Sequence, residues 1–273
     1  MQGVGEDIVD VASVPGKITY QAIQKFLEFL GEVTVLFVKT MKFVLTGNIN
    51  LSDTVSHMSI IGVSSLPIVV VTVAFSGAVL ALYMAQLIVA WGVGGYTGAV
   101  VGLSLTREIA PVLTAVVVAA RCGSAIAAEL GTMKVTEQID ALRALAVSPL
   151  QYLVVPRLLA AVVMLPILCV IADVVGTYAG YVVATVNGVA SGGYISSLKS
   201  QVIMHDVTMG MIKTVVFGAV IVMVGAQQGL RTSGGATGVG RATTSAVVIS
   251  IVLIYILNFM LAYVMFGGKT AFL

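Results

Sequence analysis

Charged residues are scarce in this sequence. Only 10% of its 273 residues are Asp, Glu, Lys or Arg, whereas 59% are hydrophobic, and the mean hydropathy is +1.08. Soluble domains average about 25% charged residues. The composition therefore excludes an ordinary soluble domain and indicates an integral membrane protein. The net charge of +2 argues against nucleic-acid binding, because that function needs a strongly basic face.

Cysteine and histidine are also rare, which limits catalytic and metal chemistry. Cys122 and Cys169 lie in separate apolar segments, where buried free thiols are commoner than disulfides or metal ligands. His57 and His205 are far apart, and the sequence has no HxxxH, DxD or GxSxG motif. An integral-membrane lipid-modifying enzyme, which needs convergent catalytic groups, is therefore only an alternative hypothesis.

Long apolar runs predict five transmembrane helices. No charged residue occurs from Met58 to Thr106, a distance that fits one span and the start of another at roughly 20 residues per span. The predicted spans are 59–91, 98–130, 149–187, 209–230 and 242–267. Residues 188–208 are polar and are predicted to form a loop, and 231–241 a tight turn. Gly176 and Gly180 have the spacing that permits close helix packing.

The segment before these spans, residues 1–57, is predicted to contain an amphipathic helix that lies in the membrane interface. Charges interrupt residues 17–45 too often for a span, yet the apolar residues recur with helical periodicity. The apolar stripe consists of Ile23, Phe26, Leu30, Val33, Phe37, Met41 and Val44. The opposite face carries Lys25, Glu28, Glu32, Lys39 and Lys42. A soluble helix packed on a domain is the alternative.

The stretch from Arg121 to Pro156 concentrates the charge of the chain between the second and third predicted spans. Val135, Ile139, Leu142 and Ala146 share one stripe, and Ser148-Pro149 ends the helical pattern. We therefore predict a short amphipathic helix at about 134–146, shaped to contact a soluble partner. Its charged side chains are Lys134, Glu137, Asp140 and Arg143. A surface helix on the bilayer without a partner is the alternative.

The distribution of Lys and Arg predicts the orientation of the spans. With the charged stretch in the cytoplasm, ten basic residues lie on that side and four on the other, as the positive-inside rule requires. The ten are Lys17, Lys25, Lys39, Lys42, Arg121, Lys134, Arg143, Arg157, Arg231 and Arg241. The four are Arg107, Lys199, Lys213 and Lys269. The C-terminus is then predicted to face away from the cytoplasm.

Three of the ionisable residues within the predicted spans are candidate functional residues, because such groups are costly in a bilayer unless they are paired or face water. Arg107 and Glu108 point about 100° apart on a helix, so each is expected to reach a neighbouring helix, a cavity mouth or the headgroup region. Asp173 is an isolated acid. A secondary transporter that uses Asp173 as a proton or ion site is a second alternative hypothesis, although no inverted repeat is evident.

Several segments together resemble a known family. They are REIAPVLTAVVVAARCGSAIAAELGTMKVTEQIDALRALAVSPLQYLVVPRLLA, GATGVGRATTSAVV and LNFMLAYVMFG. This sequence resembles the MlaE/YrbE family of ABC transporter permeases, the membrane subunits of MCE-type lipid transport systems, over roughly 60–267. The resemblance implies a non-catalytic homodimeric permease in the bacterial inner membrane. A cytoplasmic ATPase would bind ATP and Mg, an MCE-domain protein would bind on the far side, and this chain would bind no cofactor.

The resemblance also implies roles for particular residues. The coupling helix of the family corresponds to 135–145, which makes Glu137, Asp140 and Arg143 candidates for contact with the ATPase, and Lys134 borders them. Arg107 and Glu108 correspond to an Arg-Glu pair that either binds a lipid headgroup or holds the mouth of a cavity. Spacing on the first span adds candidate lining residues for a phospholipid cavity between two first spans. These are Leu80, Tyr83, Met84, Leu87 and Trp91.

Overall fold

The computed structural model describes residue 24, residues 27–46 and residues 49–267, which are helical apart from short turns and caps. Five helical stretches are long and apolar enough to cross a membrane. They are Leu51–Ala90, Gly94–Val135, Leu150–Val186, Met204–Leu230 and Gly235–Phe266, and we call them spans 1 to 5. The predicted all-α class with five transmembrane helices is confirmed. Predictions on Lys17, Ile23, Lys25, Phe26 and Lys269 lie outside the described residues.

The described residues form eleven α-helices, which include the spans and the segments around them. Residues 27–46 belong to helix α1. Span 1 contains α2 (Leu51–Met58) and α3 (Leu66–Ala90), and span 2 contains α4 (Thr97–Ser104), α5 (Ala110–Val118) and α6 (Ser124–Val135). The short α7 (Gln138–Ala144) precedes span 3, whose main helix is α8 (Val155–Val186). Then follow α9 (Ser191–Gln201), α10 (Met204–Leu230) and α11 (Gly235–Phe266). Helices α7 and α9 mark opposite ends of the bundle.

Wide π-helical turns interrupt spans 1 and 2 and begin span 3. They cover Ser59–Val63, Leu105–Ile109, Ala119–Gly123 and Leu150–Val154. Such turns disturb the regular backbone ladder and are frequent at functional sites. Arginines lie beside them: the Arg121 guanidinium donates to the carbonyl oxygen of Ile60 at 3.1 Å, and that of Arg157 donates to the carbonyl oxygen of Leu153. The wide turns therefore supply acceptors that lower the cost of placing a cation within a span.

Spans 1 and 3 pack closely because small residues line their contact. Helix α3 buries Val69, Val73, Gly77, Ala81 and Ala85, one residue in every four, against the rest of the bundle. A methyl group at Gly77 would clash with the backbone carbonyl of Gly176 on α8. The predicted role of Gly176 in close helix packing is confirmed.

The segment between spans 3 and 4 differs from the prediction of a loop at 188–208. Residues Ser191–Gln201 form α9, which packs on α4 with Tyr194 only 1% exposed. The Ser197 hydroxyl accepts a hydrogen bond from the backbone N–H of Ala99 at 3.2 Å, and Gly98 leaves no room for a methyl group against the Tyr194 carbonyl. The prediction was wrong because the serines and glycines of α9 give little helical signal, while its tertiary contacts stabilise it.

The remaining differences concern helix ends and faces. Spans 1 and 4 begin at Leu51 and Met204, earlier than the predicted 59 and 209. Span 5 begins at Gly235, so the turn after span 4 is shorter than the predicted 231–241, and Gly234 adopts a left-handed φ of 85° there. In α1, Leu36 packs against the core, whereas Phe37, which belongs to the predicted stripe, is 37% exposed. The protein-contacting face of α1 is therefore displaced around the helix from the predicted apolar stripe, and it includes Glu32.

Candidate functional site

Two ion pairs connect span 2 with span 4 near the end of the bundle that carries α9. The Arg107 Nε donates to Asp206 Oδ1 at 2.8 Å, and the Lys213 Nζ donates to Glu108 Oε1 at 2.8 Å. Arg107 and Glu108 thus reach a neighbouring helix, one of the expected arrangements, and each finds an opposite charge on α10. Both lie in the wide turn Leu105–Ile109.

Lys213 joins three spans although its side chain is fully buried. Besides Glu108, its ammonium donates to the carbonyl oxygen of Arg107 at 2.8 Å and to Asn258 Oδ1 at 3.1 Å. The Asn258 amide in turn donates to Glu108 Oε2 at 2.7 Å. A buried ammonium is tolerated when its donors are matched by acceptors in this way. Spans 2, 4 and 5 are therefore connected through one cation.

Asp206 anchors the other half of this ion cluster at the beginning of α10. Its fully buried carboxylate accepts from Arg107 and, at 3.1 Å, from the backbone N–H of Ile203. A carboxylate in the first turn of a helix also interacts favourably with the helix dipole. The Phe266 ring lies 4.7 Å from Arg107 Cζ and 5.4 Å from Lys213 Nζ, within cation–π distance. The last turn of span 5 therefore covers both cations.

The cluster presents one half of each ion pair outward. The side chains of Arg107 and Glu108 are 25% and 42% exposed, whereas those of Asp206 and Lys213 are fully buried. A charged headgroup can therefore approach Arg107 and Glu108 while their partners fix their positions. Sequence reasoning missed Asp206, Lys213, Asn258 and Phe266 as members of this site. Lys213 carried a usable signal, a cation inside an apolar segment, but it was counted only as evidence of orientation.

The five candidate lining residues on span 1 do not share one environment. Tyr83, Leu87 and Trp91 are 64%, 44% and 70% exposed, whereas Leu80 and Met84 are half-buried against the core between spans 1 and 3. The exposed face continues toward the start of α3 through Val71, Phe75 and Val79. A surface cavity of about 480 Å³ lies on it. Its lining residues are Phe75, Ser76, Val79, Leu80 and Tyr83.

The short helix α7 is positioned by one backbone feature and one group of charges. Glu137 adopts a left-handed φ of 61°, which ends α6 and starts α7 in a new direction. Asp140 accepts from Lys134 Nζ at 3.0 Å and from Arg143 Nη1 at 2.9 Å. The hydrogen bond from Lys134, aided by the Arg143 charge, holds the pKa of Asp140 below its usual range. Ile139, on the inner face of α7, is fully buried.

These features correct the predicted boundary of 134–146. Lys134 belongs to the last turn of α6, and the helix itself is only Gln138–Ala144. The break arises because Glu137 leaves the right-handed region, which hydrophobic periodicity does not reveal. Lys134 nevertheless acts with α7 through Asp140, so all four predicted charged residues lie at this end of the bundle, with Glu137 exposed.

Two further ion pairs hold the helices around α7 together. Arg157, whose side chain is 4% exposed, pairs with Glu129 at 2.7 Å and so joins spans 2 and 3. Glu32 of α1 pairs with Arg231 at 3.2 Å and accepts from the Gln227 side chain at 2.8 Å. Glu32, which was predicted on the face opposite the apolar stripe, thus contacts the end of span 4, although its side chain remains 40% exposed.

The comparisons with known proteins agree with this architecture. Residues 54–264 match the family described as "Permease MlaE". The chain belongs to this family. It is 44% identical over 226 residues to a probable ABC transporter permease protein of Synechocystis sp., covering 82% of this chain and 86% of that protein. It is 39% identical over 260 residues to a probable ABC transporter permease protein of Rickettsia typhi, covering 95% and 99%.

A third relative comes from a plant. The chain is 38% identical over 226 residues to the chloroplastic protein TRIGALACTOSYLDIACYLGLYCEROL 1 of Arabidopsis thaliana, covering 82% of this chain and 65% of that protein. Membership of the MlaE permease family, with relatives similar over most of their length, shows that this chain is an ABC transporter permease that crosses the membrane several times. ABC permeases work with an ATPase, so the MlaE assignment implies such a partner.

Proposed function

We propose that this MlaE permease moves phospholipid, or a similar amphiphile, between the bacterial inner membrane and an MCE-domain protein. A separate cytoplasmic ATPase, which binds ATP and Mg, drives the transport, and this chain performs no covalent chemistry. The name of the Arabidopsis relative refers to a galactolipid, and this supports a lipid substrate. The exposed apolar cavity on span 1, with Phe75 and Tyr83 in its wall, suits an acyl chain.

The observation that carries this proposal is the uneven covering of the five spans. In spans 2, 3 and 4, half or more of the most apolar 18-residue segment is buried within the chain. The buried share of the corresponding segment is only 28% in span 1 and 11% in span 5. Span 5 buries only the narrow row Ala242, Ala246, Ser250 and Ile254. We propose that its uncovered face meets a second copy of the chain, and that the two first spans enclose the lipid cavity.

At the opposite end from the ion cluster, α7 provides the contact for the ATPase. Its exposed Glu137 and the ion group around Asp140 give a soluble partner charged side chains to bind. Ile139, the buried residue of α7, connects this helix to the core that spans 2, 3 and 4 share. Closure of the ATPase pair would push α7, bring the first spans together and shrink the cavity. Such a shift requires that the ATPase contacts differ between the two states.

A reconstituted complex of permease, ATPase and MCE protein tests the function. We expect lipid transfer between vesicles and the MCE protein to stop when the ATPase is catalytically inactive. Persistent transfer would contradict the proposal. Glu137→Lys should abolish transfer or weaken co-purification with the ATPase while the protein still folds and inserts. Glu28→Lys, the same charge reversal at an exposed position of α1, serves as the matched control and should leave both unchanged.

Cysteine cross-linking tests the dimer, because both native cysteines are buried. Phe259 on span 5 is 73% exposed, and Val163 on span 3 is 44% exposed. We expect Phe259→Cys to form a disulfide-linked dimer in membranes and Val163→Cys to remain monomeric under the same oxidation. Equal cross-linking of the two variants would show that span 5 does not form the interface.

A further inference from the structure

A second cavity, of about 610 Å³, lies between α8 and α9, and it shares no lining residue with the cavity on span 1. Its walls include the apolar side chains of Val174, Ile195 and Leu198. Val174 and Ile195 are 65% and 40% exposed, so the cavity is open to the surroundings of the protein. Its size and apolar walls suit part of an amphiphile rather than a single water molecule.

One carboxylate in the wall of this cavity has almost no partner in the described part of the chain. Asp173 is only 6% exposed, and its Oδ1 has no hydrogen-bond partner there. Its Oδ2 lies 4.0 Å from the Cys169 thiol, which is a weak donor. A charged carboxylate without a partner is disfavoured at this depth, so Asp173 either takes up a proton or receives a donor from outside the chain.

Two tyrosine hydroxyls that line the cavity already have hydrogen-bond partners within the protein. The hydroxyl of Tyr181 is 2.7 Å from that of Ser191, and the hydroxyl of Tyr194 donates to the Thr177 carbonyl at 3.4 Å, so both are engaged within the protein. Lys199 lines the cavity from α9 and is exposed. The cavity therefore presents a negative group in its wall and a positive group at its rim.

We propose that this cavity binds a zwitterionic amphiphile, whose ammonium group donates hydrogen bonds to Asp173 and whose phosphate lies near Lys199. In such a headgroup the phosphate lies between the acyl chains and the ammonium group. The phosphate can therefore stay near Lys199 at the rim while the ammonium group reaches Asp173 in the wall. The acyl chains then follow the apolar side chains of Val174 and Leu198 toward the bilayer. This second lipid site does not depend on the proposed transport function, because it lies within one chain and needs neither the ATPase nor a second copy.

Native mass spectrometry of the full-length permease tests the site, with phosphatidylethanolamine and phosphatidylglycerol as the added lipids. We expect the wild type to prefer phosphatidylethanolamine. Asp173→Asn keeps the size of the side chain but removes its charge, and should weaken phosphatidylethanolamine binding about tenfold or more while leaving phosphatidylglycerol binding unchanged. Equal binding of the two lipids by the wild type, or no effect of Asp173→Asn, would overturn the proposal and leave Asp173 as the carrier of a proton only.

Two variants at exposed positions keep the test valid if Asp173→Asn fails to fold. Val174→Trp fills the cavity from its open side and should abolish the preference for phosphatidylethanolamine. The matched control, Val163→Trp, adds the same bulk to the same helix outside the cavity and should retain it. Retention of the preference in Val174→Trp would also overturn the proposal. Because binding is measured on the permease alone, a failure of lipid transport in the reconstituted complex would not affect the outcome.

Discussion

Replacing Lys213 by Met should destabilise the bundle more than any other single loss of a lysine in the described chain. The change removes three hydrogen bonds, to Glu108, Asn258 and the Arg107 carbonyl, and leaves the Glu108 carboxylate without its cation. Breaking a buried ion pair from one side costs about 3–5 kcal/mol. Glu108 is 42% exposed and keeps its bond from Asn258, so we expect the lower value, about 3 kcal/mol.

The free energy of unfolding, measured by titration of the purified protein with sodium dodecyl sulfate, checks this value. Lys39→Met removes an exposed lysine of α1 and should cost less than about 1 kcal/mol. The double variant Glu108→Gln with Lys213→Met removes both charges, so it should be at least about 1 kcal/mol more stable than the sum of the single variants predicts. Strict additivity, or equal costs for Lys213→Met and Lys39→Met, would refute the argument that the ion pair dominates.

Three further predictions concern packing, backbone and pH. Gly77→Ala should destabilise the protein by about 1–3 kcal/mol because the added methyl group meets the Gly176 carbonyl. Gly31→Ala, in open space on α1, should be neutral or stabilise by up to about 1 kcal/mol. Thermal unfolding of both variants checks that only Gly77→Ala lowers the stability. Glu137→Gly should stabilise by up to about 1 kcal/mol because glycine adopts the left-handed φ freely, and Glu137→Val should destabilise; an unfolding titration that ranks Val above Gly would contradict this. Because the folded-state pKa of Asp140 is lowered, its stabilisation of α7 is fully present above the usual Asp pKa and is lost as pH falls from there through the lowered value. The hydrogen-exchange protection of the α7 amides, corrected for the intrinsic pH dependence of exchange, should therefore be constant above the usual Asp pKa and fall below it, and Asp140→Asn should remove this acid-induced change.

Hydropathy predicted the spans well because a helix that crosses the bilayer must be long and apolar. Both properties can be recognised in the sequence without knowledge of tertiary contacts. The same reasoning failed for α9, whose serines and glycines carry little hydrophobic signal and whose stability comes from packing on α4. It also misplaced the start of span 5, because Gly235–Gly240 has the composition of a turn. Helices that depend on tertiary contacts are thus the ones that a sequence alone conceals.

The sequence predicted only half of the residues in the two ion pairs of the candidate site. Arg107 and Glu108 were recognised because charges within apolar segments stand out, but their partners Asp206 and Lys213 were not assigned to them. Spacing along one helix reveals which residues share a face, and it carries no information on which face of another helix they meet. The same limit explains Glu32, whose partners Gln227 and Arg231 come from the distant end of span 4.

The wide turns beside the arginines have a consequence for how the family tolerates changes in length. A π turn holds one residue more than the α-helical turn it replaces, so it rotates the following helix relative to the preceding one. Deleting a residue within Ser59–Val63 would restore a regular ladder and withdraw the Ile60 carbonyl from Arg121. Single-residue insertions and deletions among relatives should therefore be rare at these turns, and where one occurs, the arginine beside it should be replaced in the same protein.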